Sequence, residues 1–399
     1  MKHSKYNYFI QNAGNYYIYN GFSGACVSLS VKEYQDFQTQ TYTNNILQEF
    51  LRLGLIVEDD VDEAARYLSM VKNENALSSK RFYRILTTTA CNARCFYCYE
   101  KGVPIQTMDD KTANDVADFI INKQQNKRLF LQFFGGEPLC NTRAIDIISK
   151  KLTEVGLPFQ ASMTTNGFLV DDVLAQKAKN IWNIQKVQIT LDGTKTTYEE
   201  IKGFDIPNAF ERVIKNIHTL SSIGIKVSIR LNYSEQTKDD ILDLIDFLAS
   251  EYKNDKNISV YTYRLFDDEK NVHTDEEICA CLEENGFLSK KEKDFPDLVL
   301  NPCMARRTDS LVILPNGNLA KCSRALQLEN GIIGNIYQKE ELPNTWEQLN
   351  PDCIKCKHLP ICGGGCKCEE FMREKFCTLN EEEINKKLFD LIKTKDIIL

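Results

Sequence analysis

The sequence is poor in histidine, has no basic excess, and contains no long apolar run. Only His3, His218, His273 and His358 are present, and none lies within a cysteine group. Mixed cysteine–histidine metal motifs are therefore disfavoured. No apolar run approaches ~18 residues, so no membrane-spanning helix is expected. The net charge of −7 argues against a nucleic-acid partner, which demands a basic face. Met1–Tyr8 lacks the apolar core of a signal peptide, which places the protein in the cytoplasm.

What is abundant is cysteine. Fifteen cysteines in a reducing compartment are not expected to form disulfides. Cysteine-rich, histidine-poor sites point to thiolate-bound iron–sulfur clusters or to all-cysteine zinc. A chain of 399 residues that is 43% hydrophobic and 26% charged has ordinary globular composition and room for two or three domains.

Residues 1–78 read as a small α+β domain. Two aromatic segments, Tyr6–Ile10 and Tyr16–Tyr19, flank a turn at Asn12–Asn15. Ser30 with Glu33 forms a capping box, and helices are predicted over Asn44–Leu53 and Val61–Met70, with a short strand at Ile56–Val57. Lys72–Lys80 is polar and reads as a linker. Residues 79–285 alternate strand and helix. Strands are predicted at Phe82–Thr88, Leu129–Phe134, Phe159–Thr164, Lys186–Leu191, Lys226–Leu231 and Ile258–Arg264. Helices are predicted at Lys111–Gln124, Ile145–Glu154, Val173–Asn180, Phe210–Ser221 and Lys238–Ser250. Regular alternation implies an α/β fold with a parallel sheet, and six units make a partial (β/α)6 barrel. Residues 286–380 form the next domain, of which 300–380 is rich in Cys, Gly, Asn and Pro and is expected to need metal to hold together. A final helix is predicted over 381–399.

Cys91-Asn-Ala-Arg-Cys95-Phe-Tyr-Cys98 follows the first barrel strand. Three thiolates on a four-iron cubane leave one iron free for a non-protein ligand. That arrangement holds the amino and carboxylate groups of S-adenosylmethionine (SAM) beside an electron source, and one electron then releases a 5′-deoxyadenosyl radical. A zinc knuckle is the alternative. The C-x3-C-x2-C pattern, with Tyr97 before its last cysteine, resembles the radical SAM superfamily. The resemblance implies an enzyme and a set of cofactor contacts. Gly135-Gly136-Glu137-Pro138 would meet the SAM amino group, the glycines allowing close approach and the carboxylate suiting an ammonium. Thr190 in Thr190-Leu-Asp-Gly193, or Asn166 in Thr164-Thr-Asn-Gly167, would reach the ribose. Arg230 or Lys202 would reach the SAM carboxylate, although lysine lacks the bidentate fork of arginine. All these motifs fall at the carboxyl ends of predicted strands, the catalytic rim of α/β barrels.

The later cysteines are Cys303, Cys322, Cys353, Cys356, Cys362, Cys366 and Cys377, with Gly317 five residues before Cys322. These spacings resemble the SPASM domain of peptide-maturing enzymes. The resemblance implies two auxiliary [4Fe–4S] clusters, hence three clusters in all. One would take Cys303, Cys322 and Cys366, the other Cys353, Cys356, Cys362 and Cys377. The fourth position of the first is either open, or filled by Cys368, Cys279 or Cys281. A four-cysteine zinc ribbon over Cys353–Cys366 is the alternative. Pro315–Asn318 reads as a hairpin turn.

Similarity to radical SAM/SPASM enzymes implies a ribosomally made precursor peptide as substrate. A thioether or C–C crosslink would be installed with electrons from an external reductant such as a flavodoxin or ferredoxin. Residues 1–78 resemble a leader-peptide recognition element, with a plain packing extension as the alternative. Two further readings are a sulfatase-maturing type enzyme that oxidises a Ser or Cys on a protein, and a non-catalytic metal-binding scaffold.

Overall fold

The computed structural model describes residues 1–123, 126–265, 276–287, 297–328, 331–338, 342–343, 348–368, 377 and 381–394. The chain divides into two compact units. The first comprises Met1–Ser78, Lys291–Thr308 and Asn344–Leu399, and the second Ser79–Lys290 and Asp309–Pro343. Residues 286–380 are thus shared between the two units, and residues 1–78 are joined by later segments.

In the first unit, β1 (Lys2–His3) pairs antiparallel with β5 (Ile56–Val57). Strands β2 (Asn7–Asn12), β3 (Asn15–Asn20) and β4 (Cys26–Leu29) form an antiparallel sheet. Its first turn has Ala13 and Gly14 at φ of 49° and 85°, the double positive φ that matches hairpin twist. Helix α1 (Val31–Thr39) begins at the Ser30–Glu33 capping box, and α2 (Asn44–Arg52) follows. Helix α3 (Glu63–Leu77) runs through most of the polar stretch read as a linker. Asp62 caps it by accepting from Ala64 N and Ala65 N, and Tyr67 and Asn75 are buried along its inner face. A polar composition does not end a helix when one stripe is packed.

In the second unit, six strands pair in chain order, all parallel: β6 (Lys80–Thr88), β7 (Arg128–Gly135), β8 (Phe159–Thr165), β9 (Ile184–Leu191), β10 (Lys226–Tyr233) and β11 (Ile258–Arg264). Each predicted strand is present, most of them longer by one or two residues at an end. Alternate residues such as Leu129, Leu131, Phe133, Val227, Ile229 and Leu231 are buried. Arg84, Gln132, Thr164, Gln188 and Arg230 occupy the intervening positions and are half-buried, as the two-residue period requires. Helices α4 (Asp110–Lys123), α5 (Thr142–Glu154), α6 (Asp172–Asn180), α7 (Lys195–Lys202), α8 (Ala209–Ser222), α9 (Lys238–Tyr252) and α10 (Glu276–Glu284) complete the alternation. Helix α7 was not expected.

The sheet then extends beyond β6. Strand β12 (Ser310–Ile313) pairs parallel with β6, Ser310 opposite Phe82. Strands β13 (Asn318–Ala320) and β14 (Ile332–Asn335) continue antiparallel. The Pro315–Asn318 turn is where the sequence placed it. The buried Val312, Ile313, Leu319 and Ala320 show that this part of the cysteine-rich region packs as sheet.

The first unit is completed by α11 (Pro351–Lys355), α12 (Leu359–Cys362) and α13 (Glu381–Thr394). Residues 395–399 of the predicted last helix lie outside the described residues. Ile384, Leu388 and Ile392 of α13 pack with Ile361 against Tyr8, Ile10 and Tyr19 of the N-terminal sheet. The opposite face of that sheet, Ile18, Val27 and Leu29, packs on Phe37 and Phe50 of α1 and α2. Among the described residues, no helix is long and apolar enough to cross a membrane.

Candidate active site

Thr88 ends β6, and the chain turns directly into the Cys91–Cys98 loop. Desolvation pushes the Cys91 thiol up to about 12, with Cys95 and Cys140 nearby adding to the rise. Cys98 is pushed up for the same reason, again with Cys95 close by. Both residues keep exposed surface while protein crowds their sulfurs from the other sides. Bound cations invert this logic and deprotonate a coordinating thiol.

The Gly135–Glu137 segment is pressed against the backbone leading into this loop. Gly136 N donates to Thr88 O at 3.1 Å, and Glu137 N donates to Ala90 O at 2.8 Å. A Cβ on Gly135 would lie 2.1 Å from Thr88 O, and one on Gly136 2.4 Å from Ala90 O. The glycines are therefore required for close approach of one backbone segment to another. The Glu137 side chain is fully buried. Its carboxylate accepts from Thr165 Oγ1 at 2.7 Å, Asn166 N at 2.8 Å and Leu139 N at 3.0 Å. It braces the ends of β7 and β8.

Asn166 donates through Nδ2 to Asn92 Oδ1 at 2.8 Å and lies 3.9 Å from Cys91 Sγ. It stands beside the cysteine loop. Thr190 and Arg230 are register partners on β9 and β10. The Arg230 guanidinium lies 3.8 Å from the Tyr263 ring centroid, and its Nε is buried with no hydrogen-bond partner. An orphaned guanidinium donor calls for a carboxylate.

Lys202 is placed differently from the expectation. It is 3% exposed, and its Nζ lies 2.8 Å from Asp192 Oδ2, near but too poorly aligned for a hydrogen bond. Burial pulls the ammonium pKa down. Asp192, with Tyr97 and Cys95 behind it, outweighs burial and holds the pKa well above its ordinary value. Lys202 is thus paired with a buried carboxylate, whereas the Arg230 Nε has no hydrogen-bond partner. Asp192 Oδ1 also accepts from Tyr97 Oη at 2.6 Å and Asn232 Nδ2 at 3.0 Å. Sequence reasoning gave no role to Asp192, within Thr190-Leu-Asp-Gly193, or to Asn232, within Arg230-Leu-Asn232. Each lies two positions beyond an identified strand-end residue, Thr190 or Arg230, and so on the same side of the sheet. That spacing was the available signal.

In the first unit, Cys353 has Cys356, Cys362 and Cys377 among its electrostatic neighbours. Desolvation raises the Cys353 thiol to about 11, and Cys362, Cys377 and Cys356 each push it further. Gly363, Gly364 and Gly365 follow Cys362 with φ of 67°, 85° and 68°. This left-handed run is hemmed in by Val299, Pro302, Leu349 and Arg306, so only glycine fits. Desolvation raises the Cys303 thiol, and Cys366 is among its charged neighbours. Cys322 belongs to the second unit, as do Cys279 and Cys281 on α10. Cys281 Sγ donates to Asp246 Oδ1 at 3.9 Å. Cys368 is buried in the first unit.

A family model described as Radical SAM superfamily matches residues 85–248. The GTP 3′,8-cyclase of Limosilactobacillus fermentum is 33% identical over 175 residues, 42% of this chain and 50% of that protein. The Clostridium perfringens GTP 3′,8-cyclase is 29% identical over 183 residues, 43% of this chain and 52% of that protein. The chain thus spans about half the length of these curated relatives. Among solved structures, anSMEcpe with bound AdoMet gives a TM-score of 0.59 at 18% identity, covering 79% of this chain and 97% of that one. Streptococcus suis SuiB bound to precursor peptide SuiA gives 0.54 at 17% identity, covering 94% and 97%. These two likenesses show a shared fold. The residues matched by the Radical SAM superfamily model carry the thiol loop at the end of β6, the Gly135–Glu137 brace and Arg230.

Proposed function

We propose that the enzyme cleaves SAM reductively and installs a crosslink, thioether or C–C, in a ribosomally made precursor peptide. The observation that supports the SAM part is that one parallel sheet carries both the three-thiol loop, directly after β6, and an arginine with a buried, unpartnered Nε on β10. In this reading Cys91, Cys95 and Cys98 hold a [4Fe–4S] cluster, Arg230 takes the SAM carboxylate, and Tyr97, Asn166 and Thr190 line the rest of the SAM. The cluster supplies the electron that cleaves SAM. The chain's own residues orient the two cofactors and exclude water.

The peptide part rests on the later thiols and on the fold. Cys362, Cys377 and Cys356 each raise the Cys353 thiol electrostatically, which supports reading these four as the ligands of one auxiliary cluster of a SPASM domain. The remaining SPASM cysteines would serve a second, giving three clusters on a partial-barrel scaffold in the cytoplasm. SuiB was solved with a precursor peptide, and anSMEcpe with the Cp18Cys peptide. The N-terminal sheet is covered on both faces, so a leader peptide would join it as an added strand at the β2 or β4 edge. A flavodoxin or ferredoxin would supply electrons.

A second reading is oxidation of a Ser or Cys on a protein, in the manner of sulfatase-maturing enzymes, and the fold likeness to anSMEcpe favours it. Anaerobic reconstitution tests the common ground. About 11–12 irons per chain and dithionite-dependent release of 5′-deoxyadenosine are expected. Zinc without SAM cleavage would return the chain to a non-catalytic scaffold. Peptides encoded in neighbouring reading frames, a sulfatase peptide and GTP are then the three substrate arms. A mass change in the first supports the proposal, and turnover of only the second or third overturns it.

A further inference from the structure

Four side chains from separate segments meet around the Tyr97 hydroxyl, and only two of them, Tyr97 and Lys202, belong to the SAM contacts expected from sequence. Tyr97 Oη donates to Asp192 Oδ1 at 2.6 Å. Asn232 Nδ2 donates to the same Oδ1 at 3.0 Å and to Tyr97 Oη at 3.1 Å. Lys202 Nζ lies 2.8 Å from Asp192 Oδ2 and 3.4 Å from Tyr97 Oη. Asp192, Lys202 and Asn232 are all buried, Asp192 completely.

Such a group is stable only as a set. Asp192 without Lys202 would be an unpaired buried charge, and Lys202 without Asp192 the same. A second tie runs beside it: Arg94 N donates to Lys202 O at 2.7 Å, and the Arg94 guanidinium is bidentate on Asp205 at 2.6 and 2.7 Å. The loop between Cys91 and Cys98 is thus fastened through Arg94 and Tyr97 to the segment around Lys202, and through Tyr97 to Asp192 and Asn232.

We propose that Asp192, Lys202 and Asn232 are positioning residues that clamp the Tyr97 phenol, and through it set how Cys95 and Cys98 present the cluster and SAM. This rests on the radical SAM reading of the loop. Asp192 has a second effect. It cancels the charge of Lys202, which has Cys95 among its electrostatic neighbours, and cluster potentials follow local net charge and hydrogen bonding.

The test uses the reconstituted full chain and reads four quantities: iron per chain, the EPR spectrum with and without SAM, the SAM-cluster potential, and KM against kcat for SAM cleavage. Asp192→Asn is expected to keep its iron, raise KM for SAM about tenfold, alter the SAM-dependent EPR signal, and shift the potential positive. Tyr97→Phe keeps the ring and the ion pair. It is expected to raise KM similarly while leaving the potential in place. Lys202→Arg, which preserves the charge, is expected to stay within about threefold of wild type in KM. If Asp192→Asn fails to hold its iron, Tyr97→Phe decides alone. Wild-type KM, EPR and potential in both variants overturn the clamp. A wild-type chain that never cleaves SAM overturns instead the radical SAM reading of the loop.

Discussion

The hydroxyl of Tyr8 and Nδ1 of His358 are hydrogen-bonded at 2.7 Å. Their rings are stacked with centroids 5.7 Å apart, and Lys357 Nζ sits 4.7 Å from the Tyr8 ring centroid. The partners are 350 residues apart in sequence. One is on β2 of the N-terminal sheet, and the other lies between Cys356 and Cys362. The N-terminal sheet and this thiol-bearing segment therefore pack as parts of one unit. Tyr8→Phe retains the ring and removes the hydroxyl, so the half-buried His358 loses its partner at a cost of about 1 kcal/mol. A lower melting temperature is expected, together with faster loss of iron from the Cys353 set. Differential scanning calorimetry and iron release to a chelator check it, and an unchanged melting temperature would count against the coupling.

Leu388 of α13 is fully buried against the same sheet. Leu388→Ala opens a cavity there and is expected to cost about 2–5 kcal/mol. Amide exchange should then quicken in β2 and β3, with the parallel sheet of the second unit unaffected. Faster exchange confined to α13 would show that the sheet does not depend on the helix.

Gly136→Ala places a methyl carbon within 2.4 Å of Ala90 O, a contact relieved only by moving the backbone that leads into Cys91. Loss of the first cluster's iron is expected, about one third of the total, with the auxiliary iron retained. Iron per chain and 5′-deoxyadenosine release measure it. Full iron with full cleavage would mean that the loop tolerates the shift.

The six parallel strands were legible because their cores alternate with period two and each is bounded by polar turns. The cysteine loop was legible because its spacing is local. What escaped depends on distant partners. Ser310 opposite Phe82 joins strands more than 200 residues apart, and a four-residue apolar stretch does not name its neighbour. Helix α13 shows an apolar stripe in sequence but not the sheet it covers. Glu137 reads as a ligand-facing carboxylate, and its partners in the fold include Thr165 and the Asn166 N–H. Lys202 reads as an arginine substitute, and its partner in the fold is Asp192. In both cases a buried charge must be paired, and the sequence does not say by which residue.

Acid sensitivity in the second unit should trace partly to Asp146 on α5. Its Oδ1 accepts from Trp182 Nε1 at 2.7 Å, its Oδ2 lies 2.9 Å from Lys177 Nζ, and the Trp182 side chain is fully buried. Desolvation pushes the carboxyl pKa up. Lys177 and the indole N–H push it further down, so it ends below its ordinary value of 3.8. A carboxylate depressed in the folded state contributes stability that is fully present above its unfolded pKa. That contribution is lost as pH falls through the lower folded value. The predicted window therefore lies below about pH 4. Asp146→Asn keeps an acceptor for Trp182 but loses the charge. It should lower stability at neutral pH and flatten the acid limb, so that variant and wild type converge at low pH. Denaturant titrations of the metal-free protein at a series of pH values, followed by Trp fluorescence, check the convergence. A constant difference down to pH 2 would assign the cost of the variant to packing around Trp182 and not to the ion pair.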